Sequence, residues 1–488
     1  MFGITRAPDF DHAELTWFNL VRPLSLADLR GRLVILDFWT FCCINCLHTL
    51  PTLRIIEDYY PAEVAVIGIH SPKFDHERDP IALACALERY GITHPVAHDP
   101  HSGLWNEYCI RAWPSLVFIS PDGMIIGQLA GEPNPEVLLN GIGAMLEHFT
   151  TEGSLCPSPF PPQATSLPMS SGALRFPGKI KPCPSADGRK LWAIADSGHH
   201  RIVLVDDDGT EIRCWGSGQP GFTDGSDAAG FSGPEGLACT EDAIYVADTR
   251  NHAIRRIDRT SNEVTTIAGT GERGGGLQSG GAAGTSALAS PWDIDILPDG
   301  RTLVFANAGS HQIGRIDLGD GTMLSVTGCG GEGLLDGPAS LAMLAQPSGV
   351  ACLGATVYFV DAETSSVRSF SLEDGTVRTL VGTGLFDFGH HDGPLSEASL
   401  QHPLGLAVLA DRRLAVADSY NGALRLIDLE AGQISSLKPT CTDALCRPWS
   451  EPAGIATDGP ARLLLSDSNN HRIVEIDLTQ GTSRTWLE

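Results

Sequence analysis

Residues 33–38 (LVILDF) are apolar except for Asp37 and have the length of a strand buried on both faces. From 47 to 60 the apolar residues return at helical spacing, and 64–69 (VAVIGI) reads as a second buried strand. At 80–90 (PIALACALERY) a proline stands at the first position of another helical pattern. Residues 116–119 and 124–129 flank the turn Pro121-Asp122-Gly123 and predict a β-hairpin, and 136–149 closes the region as a helix. Strands alternating with helices and then a hairpin predict a mixed α/β domain over residues 1–150.

The pattern then changes twice. Residues 151–171 are rich in Pro, Ser and Gly and poor in anything that builds a core, which predicts a linker. Over 172–488 one unit recurs six times: an apolar strand, an Asp or Asn, a polar turn and a second strand. The aligned positions are Asp196, Asp248, Asn307, Asp361, Asp418 and Asp467. Most units open on Pro-x-Gly, as in Pro234-Glu235-Gly236 and Pro403-Leu404-Gly405, with Pro291-Trp292-Asp293 diverging, and most close on a Gly-rich exit. Four short strands fit each period, so an all-β propeller of six blades is expected, because a ring of blades covers faces that one blade cannot bury alone. The units resemble NHL repeats, whose Asn-His turn stands here as Asn251-His252 and Asn470-His471. The recurrent Asp is expected to order its own turn through backbone hydrogen bonds. His199-His200 and His390-His391-Asp392 are read as turn residues.

Candidate chemistry gathers at 34–50 (VILDFWTFCCINCLHTL). Strand, loop and helix here resemble the active-site segment of the thioredoxin superfamily, with Cys43 and Cys46 on its two cysteine positions. At a helix N-terminus the first sulfur meets unpaired backbone N–H groups and the positive end of the helix dipole, and two intervening residues let the second sulfur reach back to form a disulfide. The resemblance implies Cys43 as nucleophile, Cys46 as resolving thiol and a buried Asp37 as proton acceptor for Cys46. It also matches Ala112-Trp113-Pro114-Ser115 to the family's cis-proline strand, with Trp39, Trp113 and Pro114 as substrate-binding positions. The motif departs from ordinary thioredoxins in its central Ile44-Asn45 and in a third thiol, Cys42, expected to be an inert packed residue because adjacent cysteines pair only in a strained ring. Cys42, Cys46 and nearby His48 also allow a metal reading, but Cys43 and His48 point differently on a helix and no metal site is expected.

The formal charge of −26 and pI near 4.9 speak against nucleic-acid and anionic-membrane partners. Neither a signal-peptide core near the start nor an apolar run of membrane-spanning length is present, which predicts a cytoplasmic protein. Most of the 13 cysteines are then expected to be reduced, including Cys441 and Cys446, which lie close enough in sequence to pair.

With RPLSLADLRG, LDFWTFCCINCLHTLP and VIGIHSPKF, both halves together resemble the NHL-repeat-containing protein two family, a thioredoxin-like domain followed by an NHL propeller. The family's animal members carry a further β-rich C-terminal domain, and roles dependent on it are not implied. The expectation is a thiol–disulfide oxidoreductase that needs no cofactor beyond its dithiol, takes a protein or peptide substrate and draws on a cellular dithiol donor. The alternative is a non-catalytic scaffold with a peptide-binding cleft between the two domains. Propeller-centred metal catalysis would require histidines converging on the channel, and no such inward set is evident.

Overall fold

The computed structural model describes residues 5–157, 172–226, 228–277 and 280–488. The chain forms two compact units, Met1–Met169 and Ser170–Glu488. Of the expected linker, residues 158–171 lie outside the described residues.

The first unit is a six-stranded mixed sheet with helices on its faces. Its strands are β1 (Thr16–Phe18), β2 (Leu33–Trp39), β3 (Val64–His70), β4 (Val96–His98), β5 (Ser115–Ile119) and β6 (Ile125–Ala130), in the order β1-β4-β3-β2-β5-β6. The helices are α1 (Ile44–Tyr59), α2 (Pro80–Tyr90), α3 (Gly103–Glu107) and α4 (Pro135–Glu152). Strand β2 is central, parallel to β3 and antiparallel to β5, and buried throughout. Its side chains alternate between faces. Val34, Leu36 and Phe38 join the core containing Leu104 and Tyr108, whereas Leu33 and Ile35 pack with Leu53 and Ile56 of α1 and Ile142 of α4. Asp37 and Trp39 share the parity of Leu33 and Ile35, which places them on the α1 side.

Three elements escape the sequence pattern: β1, β4 and α3. They are three to five residues long, too short for a period to show, and β1 and β4 extend the sheet by pairing, β4 with β3 and β1 with β4. Helix α4 runs three residues past its predicted end. It stops at Gly153, whose φ of 70° lets the amides of Gly153 and Ser154 turn back to Thr150 and Phe149.

The second unit is six antiparallel sheets of four core strands, four of which gain a further short strand. The inner strands, Pro177–Cys183, Gly236–Cys239, Pro291–Ile296, Pro347–Leu353, Gly405–Val408 and Pro452–Thr457, neighbour one another around a ring that closes from the last to the first. This contact explains the glycine of Pro-x-Gly: a Cβ at Gly236 would stand 2.5 Å from the Cα of Asp293, and one at Gly405 2.3 Å from the carbonyl of Ala453.

The recurrent Asp does more than order its own turn. Asp248 accepts the amide of Ser232, sixteen residues upstream at the approach to its blade, and Asp361, Asp418 and Asp467 do the same for Ala345, Gln401 and Ser450, all at 2.7–2.8 Å. Each also meets an arginine of the next strand: Asp248 with Arg255, Asp361 with Arg368 and Asp418 with Arg425, every partner wholly buried. Blades 1 and 6 place the arginine two residues earlier, at Arg201 and Arg472. Blade 3 has neither charge: Asn307 is followed by Gln312 and Gly314 at the two arginine positions. Burial pushes Asp248, Asp361 and Asp418 up to about 6 despite the adjoining cations, so desolvation outweighs the pairing there.

The turn histidines tie blade to blade. His200, His252, His311 and His471 all have positive φ, and through Nδ1 they accept the amides of Gly233, Ser290, Gln346 and Phe176 in the following blade, at 3.0–3.1 Å. The expectation of reduced cysteines is corrected in the propeller: Cys183 is bonded to Cys239, and Cys441 to Cys446. The first pair bridges two inner strands held side by side by the ring, a proximity that sequence spacing does not reveal.

Candidate thiol site of the first unit

Cys43 is the N-cap of α1, with extended backbone (φ −83°, ψ 114°), and its carbonyl accepts the amides of Cys46 and Leu47. The helix therefore begins three residues earlier than its apolar pattern predicts, because Ile44-Asn45-Cys46 form its first turn. This geometry divides the two sulfurs. Cys43 is half-buried and Cys46 wholly buried. Burial pushes the Cys46 thiol well above its ordinary range, with the hydrogen bond to the Cys43 sulfur and the charge of Asp37 acting in the same direction. An accessible sulfur linked to a protected one is the arrangement that attack followed by resolution requires.

Asp37 lies on β2 with 1% exposure, and neither carboxylate oxygen finds a hydrogen-bond partner among the described residues. Burial pushes it up to about 7, opposed by the nearby His94. Its cross-strand neighbour is Gly68, where a Cβ would stand 3.0 Å from Trp39 Nε1 and 3.4 Å from His94 Nε2. The missing side chain makes room beside the carboxylate for the indole and the imidazole.

The Trp113–Pro114 peptide is cis. Trp113 is half-buried, donates from Nε1 to the carbonyl of Ser71 at 2.9 Å and packs against Trp105 at 4.4 Å. Trp39 is a correction: expected to bind substrate, it is wholly buried, edge-on to His70 at 5.2 Å. Odd parity on a fully buried central strand turns its ring into the core.

Cys42 is buried, as an inert thiol would be. Its amide donates to Glu77 Oε1 at 3.1 Å. Glu77, absent from the sequence-derived site, sits on a one-turn helix at His76–Arg78 with 0% exposure and accepts also from Thr40 Oγ1 and the amides of Lys73 and Phe74. It ties the loop before the cysteines to the loop after β3. In the sequence FDHERDP it looks like one more surface charge, and nothing local marks it as buried. His48 faces Glu132 at 3.3 Å. Among the described residues no group of three or more His, Cys, Asp and Glu side chains is placed to hold a metal.

The family model described as AhpC/TSA family matches residues 5–128. Over 24% of its length the chain is 27% identical to the thiol-disulfide oxidoreductase ResA of Bacillus thuringiensis, covering 65% of that protein. Similarity also extends across both units. The chloroplastic protein SUPPRESSOR OF QUENCHING 1 of Arabidopsis thaliana is 37% identical over 98% of this chain, which spans 47% of that protein's length. NHL repeat-containing protein 2 of Bos taurus is 35% identical over 97% of this chain and 70% of its own. No helix among the described residues is long and apolar enough to cross a membrane. A thioredoxin-like unit with this dithiol, a six-bladed propeller and collinear identity through both place the chain in the NHL repeat-containing protein 2 family.

Proposed function

We propose that the protein is a thiol–disulfide oxidoreductase acting on protein or peptide disulfides, with its propeller as the platform that holds the partner. The observation that carries this reading is the pairing of a half-exposed Cys43 at the start of α1 with a buried Cys46, above an unpaired Asp37. In the reducing direction Cys43 attacks a substrate disulfide, forming a mixed disulfide and releasing one substrate thiol. Cys46 then gives its proton toward Asp37 and attacks Cys43, which releases the second thiol and leaves Cys43–Cys46 oxidised. A cellular dithiol donor restores the pair. Likeness to ResA over the first unit supports the same chemistry.

The proposed partners exclude nucleic acid and anionic membrane, on the support of the −26 charge. The proposed compartment is the cytoplasm, where a disulfide is characteristically transient and catalytic or redox-sensing. The test is reduction of insulin disulfides by the full chain supplied with dithiol. Wild type turns over and Cys43→Ser does not; equal rates for the two sink the proposal.

A further inference from the structure

The fifth strand of blade 6 is unlike that of the other blades. In blades 3, 4 and 5 the outer edge is extended by Gly281–Ala282, Gly337–Pro338 and Gly393–Pro394, all pairing antiparallel. In blades 2, 4 and 5 an Asp-Gly turn delivers a carboxylate to the buried arginine: Asp224 to Arg255, Asp336 to Arg368 and Asp392 to Arg425, each at 2.7–2.9 Å. Blade 6 has no Asp-Gly at this place. Thr440–Cys441 pairs in parallel with Thr482 and Ser483, and the chain then closes on itself through Cys441–Cys446. Asp443, inside that ring, takes over the missing function. It accepts the amide and hydroxyl of Thr485 at 2.8–3.1 Å and lies 3.9 Å from Arg472. A disulfide thus stands where sister blades use a turn.

The ring is open to attack. Cys446 is exposed, Cys441 half-buried, and Leu445 beside them is 84% exposed. The other propeller disulfide differs, with Cys183 buried at 3% exposure on an inner strand. Cys441 also lines a cavity of about 320 Å³ between blades 5 and 6, together with Lys438, Arg447 and Trp449. A change at this sulfur changes the wall of that cavity.

We infer that Cys441–Cys446 is a reversible redox site of the propeller and that its reductant is the Cys43/Cys46 dithiol of a second copy of this chain. The inference rests on the oxidoreductase reading above. Cys43 thiolate attacks Cys446 Sγ; the Cys43–Cys446 bond forms, the Cys441–Cys446 bond breaks, and Cys441 leaves as a thiolate that takes up a proton. Cys46, losing its proton, then attacks Cys43 and releases Cys446. Two electrons and two protons pass from Cys43/Cys46 to Cys441/Cys446.

Two full-length variants test this. The donor carries Cys441→Ser and Cys446→Ser, and is reduced and freed of small thiols. The acceptor carries Cys43→Ser and Cys46→Ser and is kept oxidised. After mixing, alkylation and peptide mass mapping should show two thiols gained at 441 and 446 as two are lost at 43 and 46, and a donor with Cys46→Ser added should leave Cys43 bonded to Cys446. In the chain without propeller substitutions, Cys43→Ser alone should slow reduction of Cys441–Cys446 by limiting dithiol roughly tenfold or more. Absence of transfer from a donor that reduces insulin in parallel overturns the inference and leaves the oxidoreductase reading intact. A donor inert toward insulin overturns that reading and this inference together.

Discussion

His200 Nδ1 accepts the backbone amide of Gly233 at 3.0 Å, joining the turn of blade 1 to the approach of blade 2. The contact needs a neutral imidazole. Burial first, then the charges of Arg250 and Arg175, push His200 down to about 4 from an ordinary 6.5. Its folded pKa is depressed, so the unfolded chain takes up this proton first as pH falls. Stability linked to His200 is therefore complete above about 6.5 and declines as pH falls toward 4. His200→Asn, which tolerates the positive φ and does not titrate, should flatten the fall in propeller melting temperature between pH 7 and pH 4. Parallel curves for the two proteins would show that this proton is not linked to folding.

Arg255 is wholly buried between Asp248 and Asp224, with its guanidinium over Phe222 and Phe231. Asp248→Ala should destabilise the propeller by about 2–4 kcal/mol, since it removes one of the two carboxylates on a buried cation and leaves the amide of Ser232 without its acceptor. Breaking the pair of its neighbour Arg256 with Asp258, which lies nearer the surface, should cost less. Denaturant unfolding followed by propeller tryptophan fluorescence compares them, and equal costs would contradict the burial argument.

Asp37 has the opposite linkage from His200. Its folded pKa is raised to about 7 from 3.8, so its proton stabilises the fold below about 4, and that stability is lost as pH rises through 7. Asp37→Asn should accordingly raise the melting temperature of the first unit at pH 8 and change it far less at pH 4. The full difference is of the order of 4 kcal/mol. The same variant should slow insulin reduction near neutral pH and remove the limb of the pH–rate profile close to 7. A variant that keeps wild-type rates and that limb would remove Asp37 from the proton pathway.

Glu77 and Cys42 separate support from chemistry. Cys42→Ser should leave turnover within about twofold, since this sulfur is buried. Glu77→Ala should cost roughly 2–4 kcal/mol by leaving the buried amides of Cys42 and Phe74 without this acceptor, and should lower turnover through loss of the cysteine loop's position. Melting curves and insulin assays on the two variants read this directly. A large loss from Cys42→Ser would make the third thiol a participant.

What was legible in the sequence was whatever is written in a local period or a fixed spacing. The β2 and β3 runs, the dithiol and the six superposable units are of that kind, and so are Asp37 and Pro114, which the thioredoxin-like spacing marks. Trp39 was misread because its match to the thioredoxin-like spacing was followed rather than its place at the end of a strand buried on both faces. Glu77, the arginines facing the repeated Asp, and the Cys183–Cys239 pair are contacts across loops or blades. The arginines had a signal, an Arg five or seven residues after the Asp in every unit except the one with Asn307. Glu77 had none, because burial of one carboxylate is decided by the surrounding tertiary structure.

The ring of blades has one further consequence. Apart from the buried Lys179 of blade 1, whose ammonium donates to the Leu404 carbonyl of blade 5, the packing between blades runs from neighbour to neighbour around the ring. Propeller stability is therefore close to a sum of blade terms and seam terms, as in a linear repeat array. An array has two free ends at which unfolding can begin, whereas a closed circle has none, and its seam between blades 6 and 1 is held by side chains. Phe176 donates to His471, Ser468 to the Pro177 carbonyl, and Arg462 pairs with Asp207. Weakening that one seam turns a circle into a line, and the loss should reach blades that never touch it, appearing as earlier fraying from both new ends.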